Sequence, residues 1–358
     1  MDRSSNVRLG LAALAAVACI AVAAQATAQV PGAIALKPTP ADQSVAKRAA
    51  LAHRRAVPPH TLTTETGPRR QLSAAQAAAA SHAYSNDGEG GVAPKYPADL
   101  YYLGGPTVPA AQSHAIYLLP STLCTVAQCW GDPEGFLRDL GRSEFIHVVD
   151  QYTGVTGDHR YGVGQDYAAV LPAPSANFST APLTDSDLLA YVYLAAKTGG
   201  QVGYGHIYHV FLPQGTDECF DATFSVCYSP DNLTAFKFCA YHGSVDFSDI
   251  GHVLYTVEPF QQTPGCQVAA GTPNGQLADS TNDVLSHETF ETITDPDGTA
   301  WFEVLGAALA GSEIGDECVF LAYDGTNSSL PTLWSAGRHT YATQPEYDNQ
   351  RHGCTVAP

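Results

Sequence analysis

The sequence predicts a mixed α/β (α+β) domain: a mixed sheet, one long helix that carries the chemistry, and a set of disulfide staples. Three observations predict it. Strand-length runs of apolar and β-branched residues alternate with helical runs from residue 96 onward, with more strand before residue 281 than after it. Residues 281–294 read as a helix on which His287, Glu288 and Glu291 stand at ligand spacing. Of nine cysteines only Cys19 lies in an N-terminal export segment, and the even number left over points to disulfides.

The elements follow in order. Residues 114–119, 145–152, 205–212 and 253–257 read as strands. In 205–212, Tyr208, Val210 and Leu212 share one face while His209 and Phe211 take the other. Residues 133–140 open with proline and acidic residues, as helix starts do. Thr184-Asp185-Ser186-Asp187 forms a capping box ahead of a helix over 188–197, which Gly199-Gly200 ends. In the 281–294 helix, Asn282 or Asp283 stands near the cap, and Val284, Leu285, Phe290 and Ile293 can pack on the sheet.

The N-terminal part differs in character. Arg3 and Arg8 give a basic start ahead of an uncharged apolar run over 9–24, and Ala26-Thr27-Ala28 fits the small-x-small rule, so residues 1–28 are expected to be a signal peptide. The run is shorter than the ~20 residues a membrane span needs. The expectation is an exported protein, extracellular or periplasmic, with no membrane attachment once cleaved. Residues 29–95 are rich in Ala, Pro, Ser and Gln. They read either as a disordered linker or as a basic propeptide covering an acidic cleft, with Gly88 to Gly91 as a hinge. The folded domain is expected over 96–358, long enough for one large core.

Charge and cysteines narrow the partners. From residue 96 onward, 7 Lys and Arg stand against 30 Asp and Glu, a net of −23, whereas residues 29–95 carry +4. Such an acidic domain repels nucleic acid and suits solubility and cation binding. The eight remaining cysteines allow about a hundred pairings. Nearness along the chain suggests Cys124–Cys129, Cys219–Cys227, Cys239–Cys266 and Cys318–Cys354. The absence of any C-x-x-C pair argues against a cysteine zinc cluster.

The constellation that carries chemistry is His287-Glu288-x-x-Glu291. Helical register puts His287 and Glu291 on one face, with Glu288 about 100° round the axis. This is the H-E-x-x-H zinc pattern with Glu in place of the second His. Amide hydrolysis needs a polarised carbonyl and an activated water, and zinc on three protein ligands supplies both. His287 and Glu291 are the expected ligands and Glu313 the third. Asp316 joins the metal set by holding the ring nitrogen of His287. Glu288 is expected to take the water's proton. His242, between Cys239 and Gly243, is expected to line the cleft and stabilise an oxyanion. The plainer alternative is an acidic helix end facing solvent. The apolar flanks Leu285, Phe290 and Ile293 and the sharp Asp295-Pro296-Asp297-Gly298 stop speak against it. Two carboxylates would neutralise Zn²⁺ and lower its Lewis acidity, and carboxylate-rich ligation also suits Ca²⁺ or Mn²⁺. A calcium turn at Asp295 and Asp297 is therefore the alternative. His206 and His209, three apart on a strand, face opposite sides and make a poor ligand pair. No G-x-S-x-G, P-loop or dinucleotide glycine pattern occurs.

At this point the chain resembles the phosphate-induced protein 1, or exordium-like, secreted family and its bacterial relatives. The resemblance covers roughly residues 97–354. Tyr101-Tyr102-Leu103-Gly104-Gly105-Pro106, Phe136-Leu137, Cys239-Ala240-Tyr241-His242-Gly243, Pro264-Gly265-Cys266 and Pro273-Asn274-Gly275 are similar to successive family segments. The specific part is the late block, His287-Glu288, Asp295-Pro296, Trp301 and Glu313-Ile314-Gly315-Asp316-Glu317-Cys318, matched in order. The chain departs from plant members in having Asp-Pro where they tend to have Asn-Pro, and in its long basic N-terminal region. The resemblance implies export and a link to growth and the cell wall rather than a defined activity. His287, Glu288, Glu291 and Glu313 also resemble the thermolysin-type zincins, which implies a zincin-like single catalytic domain. The metzincin pattern fits less well, since no third His follows at the required spacing.

Two functions are thus expected. The first is a monomeric, secreted, zinc-dependent hydrolase, a metallopeptidase acting on a peptide or protein. The second is a non-catalytic exordium-like protein that binds a cell-wall or surface partner.

Overall fold

The long apolar runs pair into an eight-stranded mixed sheet. A computed structural model describes residues 26, 30–56, 99–120, 124–152, 160–171, 181–220, 222–304, 311–319 and 332–358. The sheet strands are β1 (Ile34–Ala35), β2 (Arg54–Ala56), β3 (Ala110–Leu119), β4 (Arg160–Val163), β5 (Tyr167–Val170), β6 (His206–Phe211), β7 (Tyr241–Phe247) and β8 (Gly251–Glu258). Their order is β1-β5-β3-β6-β8-β7-β2, with β4 beside the start of β3. Strand β7 runs against both its neighbours, β8 and β2, and the other pairings are parallel.

Alternation along the strands builds two cores. On one face Tyr117 and Phe211 pack with Trp130, Phe136, Phe145, Leu285, Phe290 and Ile293. On the other, Ile116, Leu118, Tyr208, Val210 and Leu212 pack with Leu188, Leu189 and Val192. The expected division of residues 205–212 between faces is therefore found. Among the described residues, four helices of eight residues or more flank the sheet: α1 (Pro40–His53), α2 (Pro133–Leu140), α3 (Asp185–Gly199) and α4 (Gln276–Thr294). Helix α2 has the expected bounds, and the Asp132 side chain accepts from the Gly135 amide at its start. Helix α3 opens on the Thr184/Asp187 capping box and ends at Gly200, whose φ of 66° only glycine adopts freely.

Helix α4 begins five residues earlier than expected, at Gln276 rather than at residue 281. Asn282 and Asp283 do not cap it. Asp279 accepts from the Asn274 amide and closes the first turn, while Asp283 accepts from the Gln344 amide across the chain. The strand expected over 145–152 is a 3-10 helix, Phe145–Gln151. Its polar residues Glu144, His147 and Asp150 recur every third position, which is the 3-10 period and not the period of two a strand needs.

The described part of the 29–95 segment is not a free linker. Residues 30–56 form β1, α1 and β2, which pair with β5 at one edge of the sheet and with β7 at the other. Helix α1 lies on α3 through Ala46 and Ala49, both buried. Small residues let two helices approach closely, so an alanine-rich stretch can be a packed element without a strong apolar stripe. Residues 57–98, with the expected hinge, lie outside the described residues, as do residues 1–28 apart from Ala26.

Four disulfides join Cys124–Cys129, Cys219–Cys227, Cys239–Cys266 and Cys318–Cys354, the pairs that nearness in the chain suggested. A C-terminal hairpin, β9 (Thr332–Ala336) with β10 (His339–Thr343), covers α4, and its Trp334 and Tyr341 rings meet Phe136. Among the described residues no helix is long and apolar enough to cross a membrane.

Candidate metal centre

Helix α4 is buried on nearly every side, so its polar residues must find partners inside the protein. Its hydroxyls turn back on the helix itself: Thr289, Thr292 and Thr294 donate to the carbonyls of Leu285, Glu288 and Phe290. Its charged groups cannot do this. They project toward two other segments, strand β7 with His242 and the 312–318 turn with Glu313 and Asp316.

His287 and Glu291 meet as helical spacing requires, with His287 Nε2 3.0 Å from Glu291 Oε1. Asp316 completes this group. Its Oδ1 lies 3.7 Å from His287 Nε2, and its amide donates to Glu291 Oε1 at 3.3 Å. On the other side of Glu291 stands His242. Its Nδ1 is 3.4 Å from Glu291 Oε2 and 3.4 Å from Glu288 Oε2. Its Nε2 faces the Asp295 carbonyl at 3.2 Å and lies 3.8 Å from Glu313 Oε1. Among the described residues, two three-residue sets thus have ligand atoms within 4.8 Å of one another: His287, Glu291 and Asp316, and His242, Glu288 and Glu291.

The expected third ligand is Glu313. Glu313 belongs to neither set, and Asp316 takes the place beside His287 and Glu291. The reason is the tight turn. Asp316 Oδ2 accepts from the Glu313 amide, and Asp316–Cys318 is a 3-10 turn, so the two carboxyl groups reach different histidines. Glu288 Oε2 and His242 Nδ1 stand 3.4 Å apart.

Burial and charge oppose each other throughout. Burial pushes Glu288 up to about 7, with His242 and His287 opposing it in part. Burial also pushes on Glu291, but the charge of His287 and hydrogen bonds from His242 and His287 outweigh it and hold this carboxyl below its usual range. For His242 and His287, burial disfavours the cation. The charges of Glu313 and Glu291, respectively, with the other carboxylates nearby, hold both well above the usual imidazole value.

Two buried carboxylates were not singled out from the sequence. Glu346 and Glu258 are wholly enclosed, and burial lifts both well above the usual carboxylate range. Neither oxygen of Glu346 takes a hydrogen bond from a described residue, and the charges of His287, Glu291 and Asp316 all reach it. No spacing in the sequence links residue 346 to residue 287. Only the strand that passes Ile314, through the Tyr347 amide, brings it there.

Asp295 and Asp297, the alternative calcium turn, engage protein donors. Asp295 Oδ1 accepts from the amides of Thr299 and Ala300. Asp297 accepts from Ser244 Oγ at 2.6 Å and Tyr204 OH at 2.7 Å. His206 and His209 do point apart: His206 meets His114, and His209 lies between Ser113 and Thr256. No protein-family model, curated protein or solved structure matches the chain.

Proposed function

We propose that the protein is a secreted metal-dependent hydrolase with a zincin-like fold, a peptidase for peptide or protein substrates. The observation that carries this reading is the convergence of His287 Nε2, Glu291 Oε1 and Asp316 Oδ1 beneath a buried Glu288–His242 pair. One nitrogen and two carboxylate donors fit Zn²⁺. Their separations of 3.0 and 3.7 Å about His287 Nε2 bracket the ligand spacing of a small tetrahedral ion. His287, at 14 % side-chain exposure, is the most accessible of the three, so substrate approaches from its side.

His287, Glu291 and Asp316 would hold the ion, which supplies Lewis acidity toward a carbonyl oxygen and makes water more acidic. Glu288 receives a proton at its carboxylate and returns it to the leaving amine. Its pKa near 7 suits both directions at neutral pH. His242 keeps its positive charge beside Glu288 and offsets negative charge that develops on the substrate oxygen. Asp295 holds the His242 ring in place through its carbonyl, which accepts from Nε2.

The test has two parts. Metal analysis of purified protein should find zinc. Glu288→Gln should lower hydrolysis of a peptide substrate by about 10²–10⁴-fold with its zinc retained, and His287→Ala should lose zinc and activity together. Full activity in Glu288→Gln would overturn the reading. Protein with calcium or no metal would turn attention to the exordium-like alternative, a non-catalytic binder of a wall or surface component.

A further inference from the structure

The starts of three parallel strands leave a pocket of about 660 Å³, within the size range of small-molecule sites. Sheet register places Gln112 of β3 beside Gly162 of β4 on one side and His206 of β6 on the other. Arg142, just past the end of α2, and Gly205, just ahead of β6, also line the pocket. None of the lining residues belongs to the candidate metal centre. His206 shares its face of the sheet with Tyr208, which packs in the core opposite that of Leu285, Phe290 and Ile293.

Hydrogen bonding fixes what His206 offers a ligand. The Gln165 carbonyl can only accept, so His114 Nδ1, 3.1 Å from it, carries a proton. Burial holds the pKa of His114 down to about 4, so at neutral pH this ring is uncharged and its lone pair is on Nε2. His206 Nδ1 lies 3.0 Å from that nitrogen and donates to it. Burial disfavours the cation of His206 as well. Its Nε2 is therefore an acceptor, and no described residue donates to it. The Gln112 side-chain oxygen takes only a 3.5 Å contact from Gln201 and has a lone pair to spare. Arg142 offers the opposite chemistry. A guanidinium only donates, in a planar fork that matches a carboxylate, and Arg142 has no carboxylate partner among the described residues.

Glycine leaves the space open. A Cβ at Gly162 or at Gly205 would meet no atom within 4 Å. Overall charge then selects the ligand. From residue 96 onward 7 Lys and Arg stand against 30 Asp and Glu, so a ligand with net negative charge is repelled. A carboxylate that brings its own cation escapes this penalty. We propose that the pocket binds a small zwitterion, a free amino acid or a short peptide, with its carboxylate on Arg142 and its ammonium on His206 Nε2 and the Gln112 side-chain oxygen. The assignment does not rest on the hydrolase reading, since it uses none of the same residues.

Calorimetry tests it. L-alanine is titrated into the full chain and into His287→Ala, and L-alanyl-L-alanine into His287→Ala, where the proposed hydrolysis is absent. One equivalent of the better ligand is expected to bind with a Kd of about 1 mM or lower, and the tighter of the two tells amino acid from peptide. Lactate, which lacks the ammonium, and alaninamide, which lacks the carboxylate, should bind at least about tenfold more weakly. Arg142→Gln removes the fork and Gly205→Leu fills the pocket. Each should weaken binding at least about tenfold with the melting temperature unchanged. L-alanine should bind His287→Ala as it binds wild type. No saturable binding of either zwitterion, lactate bound as tightly as alanine, or undiminished binding in both Arg142→Gln and Gly205→Leu would overturn the pocket and leave the hydrolase reading standing. Binding of L-alanine that disappears in His287→Ala would place the ligand at the metal centre and overturn the pocket too.

Discussion

Gly315 shows how closely the backbone approaches the proposed ligands. A Cβ at this position would lie 2.5 Å from His287 Nδ1 and 2.8 Å from Cε1, well inside van der Waals contact. The turn therefore presses its backbone on the flat of the imidazole, and only glycine permits this. Gly315→Ala must displace either the ring or the turn that carries Asp316. The expected outcome is at least tenfold weaker zinc binding with little loss of thermal stability, read by zinc titration and melting in parallel. Unchanged affinity would show that His287 is not a ligand in the bound state. The His287 and Glu291 pair was legible in sequence because helix spacing alone brings them together. The choice between Glu313 and Asp316 was not, because it depends on a 3-10 turn closed by a side-chain cap.

Helix α4 is fixed at its C-terminal end by the turn that follows it. Asp297 ties that turn to the β7–β8 hairpin through Ser244 and His252, whose Nε2 lies 3.2 Å away, and to the start of β6 through Tyr204. The same hairpin carries His242, so Asp297 holds the two halves of the site in register. Burial pushes Asp297 up, but hydrogen bonds from His252, Ser244 and Tyr204 bring its pKa down to about 2. Asp297→Ala takes the acceptor from the buried Ser244 hydroxyl and removes the Tyr204 contact. It should cost about 2–4 kcal/mol in urea unfolding. It should also lower the pKa of His252, which Asp297 and Asp246 together hold above its usual value against burial. An NMR titration of the His252 ring checks the second effect, and an unmoved pKa would contradict the pairing. In sequence the Asp295-Pro296-Asp297-Gly298 stop marked the helix end, but the partners of Asp297 come from 53 and 93 residues away.

Across the whole molecule, covering both faces of the sheet buries histidines as well as apolar residues. His114 lies between the Gln165 carbonyl and His206 Nδ1 and stacks on Tyr208. Burial holds its pKa down to about 4, and that of His209 to about 3. In the unfolded chain both titrate near 6.5. Between pH 6.5 and 4 the unfolded state therefore binds a proton at His114 that the folded state does not. Its contribution is fully present above pH 6.5 and is lost as pH falls toward 4. His114→Gln should remove about 3 kcal/mol of this acid sensitivity, seen as a shallower fall in unfolding free energy over that range than in wild type. Equal slopes would show that His114 titrates normally. The four disulfides predict, in addition, that unfolded and unreduced protein has no reactive thiols beyond Cys19 if the N-terminal segment is retained. A thiol count of two or more per chain would rule out this pairing.

Local pattern was enough for the elements whose signals are local. Helix α2, the capping box and glycine end of α3, the alternating faces of β6 and the pairing of the cysteines were all readable, because each depends on residues a few positions apart or, for the cysteines, on short loops. The His287–Glu291 pair on α4 belongs to this class. What tertiary structure decided depends on contacts between distant segments. Residues 30–56 looked like linker because their alanines form no strong apolar stripe, and only the matching surface of α3 and the free edges of the sheet make them part of the core. The 145–152 run carried strand-forming residues, yet packing against Phe290 and Trp334 selected the 3-10 conformation. The centre itself unites a helix, the one antiparallel strand inside the sheet, a disulfide-anchored turn and the C-terminal strand. Buried charges are tolerated there only when opposite charges or cations surround them, and which groups lie close enough to do so is a property of the folded chain.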